Sequence, residues 1–184
     1  MKQKLESTVR YLRAGINWNS DASEDCDLDL SAFLLDGAGR VKDDSRVVFY
    51  NQTVFGDHAL VLSGDNPNGE GDGMNESIFV DLGGLPSDAA GLVFCVCYSH
   101  EQPGFTFGEA HGARFVVCPV EDKFDKGSDY LTEVHLTEDY PACSGMAVWA
   151  LTRTEDGWSG EVIAEPVEGG LTALCARFGV EVQD

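Results

Sequence analysis

Residues 27–35 read Asp27-Leu28-Asp29-Leu30-Ser31-Ala32-Phe33-Leu34-Leu35, and the alternation at their start decides how the chain is read. Side chains of an extended strand point to opposite faces in turn, so Asp27 and Asp29 share one face while Leu28 and Leu30 share the other. Short segments of the same kind, rich in Val, Ile, Phe and Tyr and bounded by turn residues, recur at 9–18, 47–51, 58–62, 77–82, 91–99, 114–120, 130–136, 147–153 and 158–165. This spacing predicts a mainly β chain, a two-sheet antiparallel β-sandwich. Residues 91–98 form an unbroken apolar run and are expected as a central strand buried on both faces. Residues 105–108 are expected as a loop that packs aromatic rings on the core. A few short helices complete the expectation, one of them at the C-terminus. There Leu171, Leu174, Cys175 and Phe178 fall at helical spacing on one face and Gly179 supplies the stop.

One domain spanning residues 1–184 is the natural unit for this length, and 43% apolar residues with ten Phe supply a sizeable core. Thirty-two acidic against twelve basic residues leave a formal charge of -20. Such a surface repels nucleic acid and anionic lipid, so neither is expected as a direct partner, and cations are the natural counterpart. The N-terminus lacks the apolar core of a signal peptide and no run approaches transmembrane length, which reads as a cytoplasmic protein without direct membrane insertion. In that setting Cys95, Cys97, Cys118, Cys143 and Cys175, in or beside apolar runs, are expected as free thiols.

Residues 63–76, S-G-D-N-P-N-G-E-G-D-G-M-N-E, concentrate hard oxygen ligands on a backbone loosened by glycine. Carboxylates and amides come from Asp65, Asn66, Asn68, Glu70, Asp72, Asn75 and Glu76, while Gly64, Gly69, Gly71 and Gly73 let backbone carbonyls turn inward. That donor set selects calcium over magnesium, which keeps its waters, and over zinc, which prefers His or Cys. A polar turn would need fewer such residues, and a loop of acids without Lys or Arg repels itself unless a cation is present. The EF-hand pattern fails, because Pro67, Gly69 and Glu70 stand where that loop needs two Asp or Asn ligands and a glycine. With this loop in the chain, Asp27 and Asp29, roughly 7 Å apart on one strand face, are expected as further ligands rather than a solvent-facing edge. Asp44 and Asn51 flank the apolar run 47–50, where each could equally cap a turn.

Residues 64–76 resemble the signature of the TerD (tellurium-resistance) family, G-D-N-x-T-G-x-G-x-G-D-D-E, followed by a strand and the Leu85-Pro86 pair. Asn68 stands at the family's threonine, and Met74-Asn75 at its two aspartates. Residues 27–35 resemble the family's D-x-D-x-S-x-F-L-L strand, 44–51 its segment ending in F-Y-N, and 169–180 its closing G-G-L helix. The resemblance implies a metal site of one or two calcium ions held by Asp27, Asp29, Asp44, Asn51, Asp65, Asn66, Gly69, Gly71, Asp72, Asn75 and Glu76. The two replaced aspartates imply fewer anionic oxygens, hence a single tight ion or two of unequal affinity. Also implied is a non-enzymatic stress-response role, as a scaffold or regulator with other tellurium-resistance-type proteins, peripheral to the inner face of the membrane through those partners.

Two other classes fit the residues less well. A carbohydrate-binding sandwich with structural calcium would carry an exposed aromatic platform. A hydrolase would show HExxH, GxSxG or a phosphate loop, and none occurs; His100, Glu101 and His111 near Cys97 are the one Cys/His grouping to consider.

Overall fold

The structure, a computed structural model, describes residues 2–19, 26–63, 74–99 and 104–181. Its strands in chain order are β1 (Gln3–Lys4), β2 (Tyr11–Asn19), β3 (Leu28–Leu35), β4 (Val47–Val48), β5 (Val54–Phe55), β6 (Leu60–Ser63), β7 (Glu76–Asp81), β8 (Gly91–Tyr98), β9 (His111–Val120), β10 (Thr132–His135), β11 (Gly145–Thr154) and β12 (Gly157–Pro166). The α-helices are α1 (Leu136–Asp139) and α2 (Gly170–Phe178), with short 3-10 turns at Asp44–Arg46 and Phe107–Glu109. Two six-stranded sheets form, ordered β1-β12-β11-β8-β3-β4 and β10-β9-β2-β7-β6-β5. The expected antiparallel β-sandwich is therefore present.

Alternation accounts for the core. Leu28, Leu30, Ala32 and Leu34 of β3, Leu92, Phe94 and Val96 of β8, and Leu12, Ala14, Ile16 and Trp18 of β2 all enter the space between the sheets. Phe94 sits at its centre, with ring centroids 6.2 Å from Phe115 and 5.8 Å from Trp149. A bulge in β11 between Ala147 and Trp149 changes the register, so that Val148 and Trp149 both join this core. The ring of Trp149 lies where a Cβ on Gly160 would meet it at 2.2 Å, so only glycine fits beneath the ring.

The outward face of β3 and β8 is also apolar. Phe33, Val93, Cys95 and Cys97 lie under α2, which covers them with Leu174, Cys175 and Phe178. These helical residues include three of the four expected on the inner face, and Leu171 packs partly buried beside them. The helix ends at Gly179, whose φ of 83° lets its N–H and that of Val180 return to Ala176 and Cys175. Among the described residues no helix is long and apolar enough to cross a membrane.

Several boundaries differ from the sequence expectation. The run 47–51 pairs only at Val47–Val48, because Phe49 and Gln52 exchange backbone hydrogen bonds and fold the chain into a tight turn. The strand expected at 58–62 begins at Leu60, since His58 has a φ of 61°, outside the extended range. The two-residue strands β1 and β5 are too short to leave a hydrophobic period. Phe107 is fully buried in a 3-10 turn, as the aromatic loop at 105–108 requires.

Candidate functional site

Among the described residues, the first half of β3 has a paired neighbour on one side only. It pairs with β8 along its whole length, whereas β4 reaches only Ala32 and Phe33. Across this open edge comes Glu76, the first residue of β7 in the opposite sheet, whose Oε2 accepts the Leu30 N–H at 2.8 Å. Glu76 is 2% exposed, and its carboxylate joins the two sheets where, among the described residues, no backbone partner does. Asn75, one residue earlier, bonds instead to β2, the neighbouring strand of its own sheet. Its N–H donates to the Ile16 carbonyl and its Oδ1 accepts the Trp18 N–H, both at 2.8 Å.

These contacts fix one leg of the loop that joins β6 to β7. The other leg ends at Ser63, which lies opposite Ser77 in register, with the two hydroxyls 2.9 Å apart. Asp65, Asn66, Gly69, Gly71 and Asp72 lie outside the described residues, as do His100 and Glu101. Glu76 and Asn75 thus stand at the base of the segment that the sequence marks as acidic.

Asp27 precedes β3, and its carbonyl accepts the Ser99 N–H at 3.0 Å. Asp29 is nearly buried and lies opposite Cys97 in register, on the outward face that α2 covers. Burial raises the Cys97 thiol pKa, and the nearby carboxylates of Asp29, Glu76 and Asp27 push it further in the same direction. On the same face the buried Ser31 hydroxyl has no hydrogen-bond partner among the described residues.

Asp44 and Asn51 are both exposed. Asp44 opens the 3-10 turn capped by Asp43, and its carbonyl accepts the Gln52 side-chain amide at 2.9 Å. Burial raises the Cys175 thiol pKa, and the Asp44 carboxylate pushes it in the same direction. Asn51 and Asp29 line the same cleft of about 690 Å³. The structure thus brings Asp29 and Asn51 to one cleft beside α2, while Glu76 is held on the Leu30 N–H at the edge of β3.

The donors fit a hard cation in kind, since carboxylate and amide oxygens predominate and the neighbouring thiols are held protonated by burial. Among the described residues no three His, Cys, Asp or Glu side chains converge closely enough to hold an ion by themselves. An ion at this place needs oxygens from the 64–73 segment as well.

The sequence reading missed the cleft itself. Its walls include Phe49, Tyr50, Tyr98 and Phe105, with the first turn of α2 at one side. Phe105 was expected as packing and does stack against Tyr98 at 5.6 Å, while also facing this opening. Buried Arg13 on β2 was missed too. Its guanidinium donates to the Asp125 and Lys123 carbonyls and to the Ser77 and Ser63 hydroxyls, tying residues 121–129 to the base of the β6–β7 loop.

Comparison with known proteins supplies the family. Residues 2–178 match the TerD domain. The chain is 32% identical over 180 residues to a tellurium resistance protein TerD of Serratia marcescens, covering 96% of this chain and 91% of that one. It is 30% identical over 172 residues to general stress protein 16U of Bacillus subtilis, covering 91% and 86%. The crystal structure of a homologue of telluride resistance protein (TerD) from Streptomyces coelicolor shares the fold with a TM-score of 0.76 at 18% identity, over 94% of this chain and 99% of that one. The chain belongs to the TerD domain family.

Proposed function

We propose that this chain is a non-enzymatic, calcium-binding stress-response protein, acting in the cytoplasm as a scaffold or regulator with other tellurium-resistance-type proteins. The stress role rests on the relatives, which are named for tellurium resistance and general stress. The calcium reading is carried by one observation: the buried Glu76 carboxylate, at the base of an acidic, glycine-rich loop, accepts the N–H of Leu30, next in the chain to the buried Asp29. Asp27, Asp29, Asp44, Asn51, Asn75 and Glu76 from the folded body, with Asp65, Asn66, Gly69, Gly71 and Asp72 from the loop, are the proposed donors. Calcium, when bound, neutralises these acids so that the loop can close on itself.

The chain's own residues set the frame for this. Glu76 keeps one carboxylate oxygen on the Leu30 N–H and Asn75 keeps its amide oxygen on the Trp18 N–H. The base of the loop is therefore held by protein contacts. Partners would read the ordered loop surface rather than a reaction product.

Thermal unfolding tests this reading. Calcium at a hundredfold excess over Kd should stabilise the fold by about 2.7 kcal/mol, because a ligand bound only by the native state shifts the equilibrium by mass action. Magnesium should give a much smaller rise in Tm. Equal shifts from both ions, or none from calcium, would sink the assignment.

A further inference from the structure

Two of the four large apolar side chains that stand exposed among the described residues, Phe124 at 80% and Tyr130 at 42%, fall within residues 124–130. Phe124 rides on the turn that follows β9, and that turn is fixed. Arg13 donates to the carbonyls on either side of it, Lys123 at 2.6 Å and Asp125 at 2.9 Å. The Asp122 carboxylate accepts the Phe124 N–H at 2.7 Å, and the Asp125 carboxylate accepts those of Glu121 and Gly127. An apolar ring held in water by a buried guanidinium loses little freedom when it meets a partner, which is the character of an interface anchor. The Lys123 ammonium lies over the ring, 5.2 Å from its centroid, so this knob carries a positive charge. Beside it on the same turn is a groove of about 280 Å³, lined by the apolar Pro119 and Val120 and by the acidic Glu121, Asp125 and Asp129. The exposed ring lies outside this groove. One turn thus holds an aromatic, cationic knob and an apolar, anionic groove that a single chain does not bring together.

We propose that this turn is a self-recognition surface: two copies of the chain pair about a twofold axis, the Phe124 ring and Lys123 ammonium of each entering the groove of the other. A knob and a groove on one patch are what such a contact requires, since each copy offers both halves. The charges agree, because the cation of one copy meets the Glu121, Asp125 and Asp129 rim of the other. A turn and a groove of this size bury far less surface than a permanent dimer does, so the pair is weak and reversible. The formal charge of -20 on each copy opposes the approach. Salt screens that long-range repulsion more than it screens the enclosed pairs, and therefore favours the dimer. The surface uses none of the proposed calcium ligands, so its test is separate from the metal reading.

Sedimentation equilibrium of the full chain in chelator tests the proposal, at about 0.02 M and about 0.3 M salt, where the Debye length is roughly 20 Å and roughly 6 Å. Protein concentrations up to about 1 mM cover the affinities of small, transient contacts. The wild-type chain should show a monomer–dimer equilibrium that tightens at the higher salt. Phe124→Ser should weaken it by at least about tenfold, the loss expected of an aromatic anchor. Ser128→Arg, at an exposed position lining the groove, sets a cation against the acidic rim and should weaken pairing to a similar degree. Both side chains are exposed, so thermal unfolding should be unchanged in each variant, which separates lost pairing from lost folding. A chain that stays monomeric at both salt concentrations overturns the proposal. So does a dimer that Phe124→Ser leaves intact, which would pair through another face, or one that weakens as salt rises, whose source would be charge rather than the ring. Association that continues past the dimer would overturn the twofold arrangement, because the knob and groove would then be joining chains head to tail.

Discussion

Replacing Phe94 with alanine should destabilise the protein by about 3–5 kcal/mol, the range for deleting a fully buried aromatic ring. Phe94 is fully buried on the central strand β8, and its ring contacts one from each direction: Phe115 from the facing sheet and Trp149 from the neighbouring strand. The void left by its ring opens at the point where both sheets depend on each other, and the stiff rings around it cannot collapse to fill it. Urea denaturation of Phe94→Ala should show a lower midpoint with an unchanged slope. A loss below about 1 kcal/mol, the level of a conservative trimming, would mean that the sandwich centre lies elsewhere.

Arg13→Met should cost about 2–3 kcal/mol, the scale of hydrogen bonds made by a charged group. Methionine retains most of the apolar stem, so the difference isolates the guanidinium. That group is 7% exposed at residue level and holds four acceptors at once. Two are carbonyls of the 121–129 turn, where the Asp122 and Asp125 side chains accept nearby backbone N–H groups. The other two are the serines at the base of the β6–β7 loop. Loss of the guanidinium should therefore raise hydrogen exchange in residues 121–129 and at Ser63 and Ser77 together. Faster exchange throughout the sandwich instead would show that Arg13 supports the core rather than these two loops.

The alternation of Asp27 to Leu30 gave the strand and its two faces from the residues alone, because one apolar and one acidic side leave only one way to bury the leucines. The apolar run of β8 and the helical spacing of α2 were legible for the same reason: burial on both faces, or on one stripe, writes a period into the sequence. Contacts between distant residues write none. Nothing near Glu76 shows that its carboxylate accepts the Leu30 N–H across the open edge of β3, and nothing near Arg13 shows that a turn more than a hundred residues later closes on it. The aromatic cleft was hidden likewise, since Phe49, Tyr50, Tyr98 and Phe105 lie in three segments that only the sandwich brings together. Asp44 and Asn51 were placed by family resemblance, and the structure puts Asn51 in the cleft with Asp29.

Calorimetric titration of calcium into chelator-treated protein is the most direct measurement of the central claim. One tight binding event, or two of clearly unequal affinity, is expected, since Met74 and Asn75 stand where the family signature has two anionic oxygens. Asp29→Asn and Asp72→Ala should each weaken or remove the tight event while circular dichroism reports an intact sandwich. Two equal, tight sites would contradict the inference from Met74 and Asn75; an absence of calcium heat, or an equal response to magnesium, would contradict the calcium assignment itself.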